Sequence, residues 1–254
     1  MGHAPRRRIR FLLGVAVAIA IPVVGGAVSP PAYLVKDIHV SVDDFGDAVQ
    51  EVMRAGDRIF LLASLGSTGK ELWVTDAAGT DPHLVADIRP GSESSLVSAA
   101  FALGDVLYFS ADDGDSGREL WKSDGSAEGT VRVKDIQPGP YGSGITAMGR
   151  LGSTLLLNAE GELWRSDGSE AGTFLVKDIN PGVAGAGPLN FREVGAASLF
   201  AATHAVSGRE LWRSDGSSGG TVLLRDIRAG AASSDPMPLL VHEGILYFSA
   251  DDGV

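Results

Sequence analysis

From Leu96 onward, apolar and polar positions fall into a repeating group of four runs: LVSAAFALG, DVLYFSADDGDSG, RELWKSDGSAEG and TVRVKDIQPG. Each holds about five to seven residues rich in Val, Leu, Phe, Tyr and Trp and is bounded by Gly, Asp, Ser or Pro, a pattern that predicts strands rather than helices. No stretch beyond the N-terminal region carries the period of a long amphipathic helix.

The group of four recurs. Trp73, Trp121, Trp164 and Trp212 all sit in Glu-Leu-Trp, and each is followed fourteen residues later by an aspartate that precedes isoleucine, namely Asp87, Asp135, Asp178 and Asp226. The spacing between tryptophans is 48, 43 and 48 residues, so a fixed interval lies inside a variable period. That combination marks a rigid unit joined by adjustable loops. A four-stranded antiparallel unit of this size cannot bury both faces alone. The expected fold class is therefore all-β, a β-propeller-like array of four-stranded antiparallel blades with four complete repeats and partial units at both ends. The repeat domain spans 33–254, with units at about 39–88, 89–136, 137–179 and 180–227 and a partial unit at 228–254. Stacked blades would use the tryptophans as packing residues between blades, the alternative being a ligand-stacking ring.

Turn chemistry supports the hairpin formed by the last two runs. Ser123-Asp124-Gly125, Ser166-Asp167-Gly168 and Ser214-Asp215-Gly216 place an aspartate that can bond its own backbone beside a glycine free to take positive φ. Asp-Ile-x-Pro-Gly then closes the second and third units, where proline ends strand pairing. The first unit departs from this scheme, with Thr75-Asp76-Ala77 in place of Ser-Asp-Gly, and reads as a divergent terminal blade. Tyr33-Leu34-Val35-Lys36-Asp37-Ile38 repeats a closing strand ahead of it, and Leu246 to Gly253 repeats a second strand after the fourth unit. The expected reading is a fragment of a longer array.

Charge and the N-terminus narrow the location. Arg6, Arg7, Arg8 and Arg10 precede an apolar run from Phe11 to Val28, the build of a secretory signal peptide over 1–27 with a short linker at 28–32. An uncleaved membrane anchor is the alternative, and the only membrane contact expected. Without 1–27 the chain keeps 17 basic and 32 acidic residues (21 less 4, against 32), a net charge of −15. A polyanion binds through a basic surface, so nucleic acid is not an expected partner. The absence of cysteine removes disulfides and thiol chemistry.

Glu-Leu-Trp-x-Ser-Asp-Gly-Ser, with Gly-Thr and Val-Lys-Asp-Ile-x-Pro-Gly behind it, resembles the ELWxxDGT repeat of secreted bacterial proteins. Glu119 to Gly139 and Glu162 to Gly182 follow the pattern nearly throughout, although Ser126, Ser169 and Ser217 stand where the family name has threonine. The resemblance implies an extracellular or cell-envelope repeat protein with a propeller fold.

Three function classes follow. The leading expectation is a secreted or cell-surface, non-catalytic binding or scaffold module for a protein or glycan partner, without a cofactor. A second is part of a carbohydrate-active hydrolase or lyase, which needs one pair of carboxylates in a single cleft. Glu71, Glu119, Glu162 and Glu210 recur once per unit instead, and are expected to pair with Lys134, Lys177 or Arg225 across the hairpin while the Asp-Ile aspartates cap their turns. A third is a calcium-dependent adhesin, with Asp112, Asp113 and Asp115 offering oxygens around Gly114. His39, His83, His204 and His242 occupy different phases of the repeat and form no metal-ligand spacing.

Overall fold

The computed structural model describes residues 51–64, 68–182 and 184–254. The signal peptide, the linker and the Tyr33–Ile38 strand expected above lie outside them. Among the described residues the chain is all-β. The first sheet comprises β1 (Glu51–Ala55), β2 (Arg58–Ser64), β3 (Lys70–Asp76) and β4 (His83–Ala86). The second holds β5 (Ser98–Leu103), β6 (Val106–Asp112), β7 (Arg118–Ser123) and β8 (Val131–Lys134). The third holds β9 (Ala147–Leu151), β10 (Thr154–Ala159), β11 (Glu162–Ser166) and β12 (Phe174–Lys177), and the fourth β13 (Leu189–Val194), β14 (Ala197–His204), β15 (Gly208–Ser214) and β16 (Val222–Arg225). A last pair, β17 (Met237–His242) and β18 (Ile245–Ser249), forms a two-stranded sheet. Every sheet is antiparallel with strands in sequence order.

Glu-Leu-Trp is always the third strand, and the pairing with the fourth strand shifts register between its Leu and its Trp in all four sheets. Such a bulge sharpens the local twist. Successive side chains on a strand point to opposite faces, so Leu and Trp pack against different neighbours. Leu72 and Leu163 join the apolar clusters shared with the sheet that follows, whereas Trp121, Trp164 and Trp212 pack on those shared with the sheet before. Trp73, in the first sheet, packs with Ile59, Leu61 and Ala63 on the face away from the second sheet. The core is thus a series of apolar layers between consecutive sheets, with Phe60, Phe109 and Phe200 wholly buried in them.

First strands meet first strands: β1 contacts β5, β5 contacts β9, β9 contacts β13 and β13 contacts β17. The connectivity also sorts the loops. In an up-and-down antiparallel sheet the first-to-second and third-to-fourth turns share one end, while the second-to-third loops and the links between sheets share the other. The Ser-Asp-Gly turns therefore lie at one end of the sheets and the Asp112 to Gly117 loop at the opposite end.

Candidate functional site

The glutamates of Glu-Leu-Trp are buried, and their carboxylates hold backbone. Glu71 Oε2 accepts from the Ile88 amide at 3.1 Å and Oε1 from the Ser95 amide at 3.0 Å. Glu119 accepts from Ile136 at 2.8 Å and Gln137 at 3.3 Å. Glu162 accepts from Ile179 at 2.6 Å and Ala186 at 2.8 Å, and Glu210 from Ile227 and Ser234, both at 2.9 Å. The first acceptance always reaches the isoleucine seventeen residues on, the residue after the recurring aspartate. Each carboxylate therefore pins the chain as it leaves one sheet for the next. The same link bonds forward as well, with Ser95, Ser143, Ala186 and Ser234 accepting from Asp112, Glu160, Thr203 and Asp251 in the following unit.

Among the described residues the glutamates form none of the expected ion pairs with Lys134, Lys177 or Arg225. Lys134 Nζ donates instead to Thr173 O at 2.8 Å and Lys177 Nζ to Thr221 O at 2.7 Å, both in the turn of the next sheet. An ammonium drawn down to these carboxylates would lose its hydration, whereas amides already stranded at the turn need an acceptor there. The aspartates are less uniform than expected. Asp226 accepts from Gly230 at 3.2 Å, which is the predicted cap. Asp135 has one oxygen buried without a partner among the described residues and the other 3.9 Å from Arg132. Asp87 and Asp178 stand as negative charges beside Glu71 and Glu162 and add a lesser upward push to them.

Burial dominates the protonation of these glutamates. It pushes Glu71 up to about 7 against the opposing hydrogen bonds from Ser95 and Ile88, and raises Glu119 and Glu162 in the same direction. A raised carboxyl pKa is one mark of a general acid. Here it accompanies exposure of 0% at Glu71 and Glu119 and 9% at Glu162, so no substrate atom can reach the oxygens.

The tryptophan rings are similarly enclosed. Trp73 and Trp212 are buried and Trp121 and Trp164 half-buried, and all four indole N–H groups lack a partner among the described residues. A stacking platform for a ligand would need an open ring face.

At the other end of the sheets the Ser-Asp-Gly turns share one geometry. Ser123, Ser166 and Ser214 bond Thr130, Thr173 and Thr221 hydroxyl to hydroxyl at 2.7, 2.7 and 2.8 Å, all six residues being buried. Asp124 Oδ1 takes the amide and hydroxyl of Ser126, which hold its carboxyl below the usual range, as Ser169 and Ser217 do for Asp167 and Asp215. Gly125 has φ 91°, and a Cβ there would strike Arg58 of the preceding sheet. Gly168 and Gly216 stand in the same way under Tyr108 and Leu151. Glycine thus supplies both the left-handed turn and the space into which the neighbouring sheet reaches.

In the loop expected to hold calcium, Asp112 and Asp113 are engaged by arginines from outside it and by the loop's own backbone. Asp112 Oδ2 pairs with Arg89 at 2.7 Å, and Asp113 Oδ2 with Arg132 at 3.2 Å. Asp113 Oδ1 accepts from the Asp115 amide at 3.0 Å and from the amide and hydroxyl of Ser116, both at 2.9 Å. Burial alone would raise Asp113, but these bonds outweigh it and hold the group low. Asp115 contributes its amide, and among the described residues no group of three or more His, Cys, Asp or Glu is arranged to hold a metal ion.

One feature escaped the sequence reading. Between the turns of the first two sheets lies a cleft of about 530 Å³ lined by Asp57, Arg58, Asp76, Asp81, His83 and Asp105, with Thr75 and Gly125 in its wall. Asp57 and Asp105 come from first-to-second turns, and Asp76, Asp81 and His83 from the divergent turn of the first unit. These residues stand in no motif, and only the stacking of the sheets brings them together. Four carboxylates against one guanidinium and one imidazole make it an acidic recess suited to a cationic or hydroxyl-rich ligand.

No family model and no curated protein matches the chain. Among solved structures it is similar to the computationally designed Ika8 protein (13% identity, TM-score 0.48), covering 81% of this chain and 56% of that one. A puromycin hydrolase S511A mutant complexed with PGG matches at 15% identity and TM-score 0.48, covering 76% of this chain and 32% of the hydrolase. TolB from Acinetobacter baumannii matches at 14% identity and TM-score 0.44, over 76% of this chain and 46% of TolB. The chain thus spans between a third and somewhat over half of the length of these proteins.

Proposed function

We propose that this chain is a segment of a secreted or cell-surface β-propeller of the ELWxxDGT repeat type, acting as a non-catalytic binding or scaffold module for a protein or glycan partner. The repeat of sheets joined through their first strands supports the propeller reading, and the Glu-Leu-Trp motif supports the family. The observation that carries the non-catalytic reading is the engagement of all four repeat glutamates with backbone amides, which leaves the carboxylates an enzyme would use inside the wall of the fold. The partner surface is the turn end, where the acidic cleft lies.

Titration of the chain with cationic and neutral oligosaccharides and with basic peptides, followed by the same titration of Asp76→Asn and Asp105→Asn variants, tests this reading. Saturable binding that both variants weaken is expected, with the oligosaccharides recovered intact. Turnover of an oligosaccharide, whether Glu162→Gln and Glu119→Gln abolish it or leave it, or binding indifferent to both cleft variants, would contradict it.

A further inference from the structure

The residue after each Glu-Leu-Trp is Val74, Lys122, Arg165 or Arg213, and the residue before each Asp-Ile is Ala86, Lys134, Lys177 or Arg225. In the second and third sheets both are cations that reach the turn of the sheet after and bond its carbonyls. Lys122 Nζ donates to Gly168 O at 2.8 Å and Lys134 Nζ to Thr173 O at 2.8 Å, joining the second sheet to the third. Arg165 donates to Gly216 O at 3.4 Å and Lys177 to Thr221 O at 2.7 Å, joining the third to the fourth. The first sheet has neither cation. A Cβ on Gly125, the counterpart of Gly168, would stand 3.4 Å from a methyl of Val74, so apolar surface meets this turn where Lys122 and Arg165 meet theirs.

The acidic cleft lies at this junction, with Val74, Thr75, Asp105 and Gly125 in its lining. Thr75 is 3% exposed, and its hydroxyl has no partner among the described residues. Arg58 stands beside Gly125, but its charge acts on Asp124, and it donates no hydrogen bond to Gly125 or Thr130 among the described residues. We propose that the cleft is a socket for one lysine side chain of a partner polypeptide, whose ammonium takes the place that the repeat's own lysine fills at the next junction. This rests on the reading of the turn end as the partner surface. An ammonium carries three donors. Gly125 O, the Thr75 hydroxyl and the Asp105 carboxylate are its acceptors, and bonds from a charged donor are the stronger kind. The Val74 wall suits the methylene stem, which long cations lay along apolar surface. Lysine fits better than arginine, since the lysines reach their carbonyls at 2.7–2.8 Å and Arg165 reaches its own at 3.4 Å. An amino sugar holds its ammonium on the ring, with no stem to cross the Val74 wall. The strands and turns fix these acceptors before binding, so little is left to order.

The test titrates the full chain with the end-blocked peptide Gly-Gly-Lys-Gly-Gly, followed by amide chemical shifts at Thr75, Asp105 and Gly125. Saturable shifts confined to the first junction are expected. Acetylating the lysine Nζ, or Asp105→Asn, should weaken binding about tenfold or more, since each removes one side of a charged hydrogen bond. Thr75→Val should weaken it several-fold without loss of stability. Val74→Lys supplies the missing ammonium from the chain itself and should abolish binding. Ala86→Lys, at a half-buried position, should do so too by bringing an ammonium to the same junction, whether or not Val74→Lys folds. Equal binding of the acetylated peptide, binding that survives the lysine variants, or a chitosan oligosaccharide held more tightly than the peptide would overturn the socket while leaving the turn end as the partner surface. No shift at millimolar peptide would overturn it as well, and if the oligosaccharides also fail to bind, the partner-surface reading falls with it.

Discussion

The turn of the first unit and the turns of the next three solve one problem in two ways. In the later units a Ser and a Thr seven residues apart close a buried hydroxyl pair, and Asp-Gly turns the chain. In the first unit Pro82 stands where the threonine would be, and the Thr75 hydroxyl is buried without a partner among the described residues. Asp76 reaches instead to the amide and hydroxyl of Thr80, and the positive φ moves to Gly79 at 69°. Below the turns the sheets are alike, with the same Leu and Trp faces and the same glutamate acceptances. The acidic cleft opens where the turn departs from the pattern. The repeat keeps what stacks the sheets, and the acidic recess lies where it is broken.

That contrast is testable at decreasing scale. Trp73→Ala and Trp212→Ala should each cost about 3–5 kcal/mol, the range for truncating a large aromatic in a packed interior. Urea unfolding measures both, and a harmless Trp73→Ala would show that the first sheet is not built like the fourth. Gly168→Ala should cost roughly 1–2 kcal/mol for the left-handed backbone alone, with more for displacing Tyr108, whereas Ala77→Gly in the divergent turn should change stability little. Ser166→Ala should lose about 1 kcal/mol, the usual worth of a net hydrogen bond, while Thr75→Val, which removes a hydroxyl without a partner among the described residues, should be neutral or stabilising. Equal losses at the two positions would erase the distinction between the turns.

The smallest effect is one of pH. Glu71 in the folded chain is raised to about 7 from the ordinary 4.5, so the folded state binds its proton more tightly than the unfolded chain does. Its contribution is full below about pH 4.5 and is lost as pH rises through about 7. The turn aspartates Asp124, Asp167 and Asp215 are shifted downward, so their contribution is full above the ordinary aspartate value of 3.8 and is lost only as pH falls below it, outside this interval. Melting temperature should therefore decline between pH 4.5 and 7, and Glu71→Gln should flatten that decline. A melting temperature rising across this interval would contradict the assignment.

Strand order was legible in the sequence because each run is short, apolar and fenced by Gly, Asp or Ser, and because the Trp-to-Asp interval repeats without error. The role of the glutamates was not. A carboxylate beside a lysine-bearing strand suggests an ion pair, and only the backbone path shows that isoleucine amides seventeen residues away are stranded beside it. A further signal was present but unused. The residue after Asp-Ile is Arg89, Gln137, Asn180 or Arg228, and it is arginine in the two places where the following unit carries Asp-Asp-Gly, giving Arg89 with Asp112 and Arg228 with Asp251. Asn180 serves a unit without those aspartates by accepting from the Ala205 amide at 2.9 Å. The cleft had no such trace, since its aspartates come from two sheets and three turns.

The claim on which the rest stands is that the repeat glutamates hold the chain rather than act on a substrate. Residue-resolved amide exchange in Glu162→Ala measures it directly. The account predicts that the Ile179 and Ala186 amides lose protection while those of Ile88, Ile136 and Ile227 keep theirs. Unchanged exchange at Ile179 and Ala186 would show that the turn is held by something else and would return the glutamates to the list of groups free for chemistry.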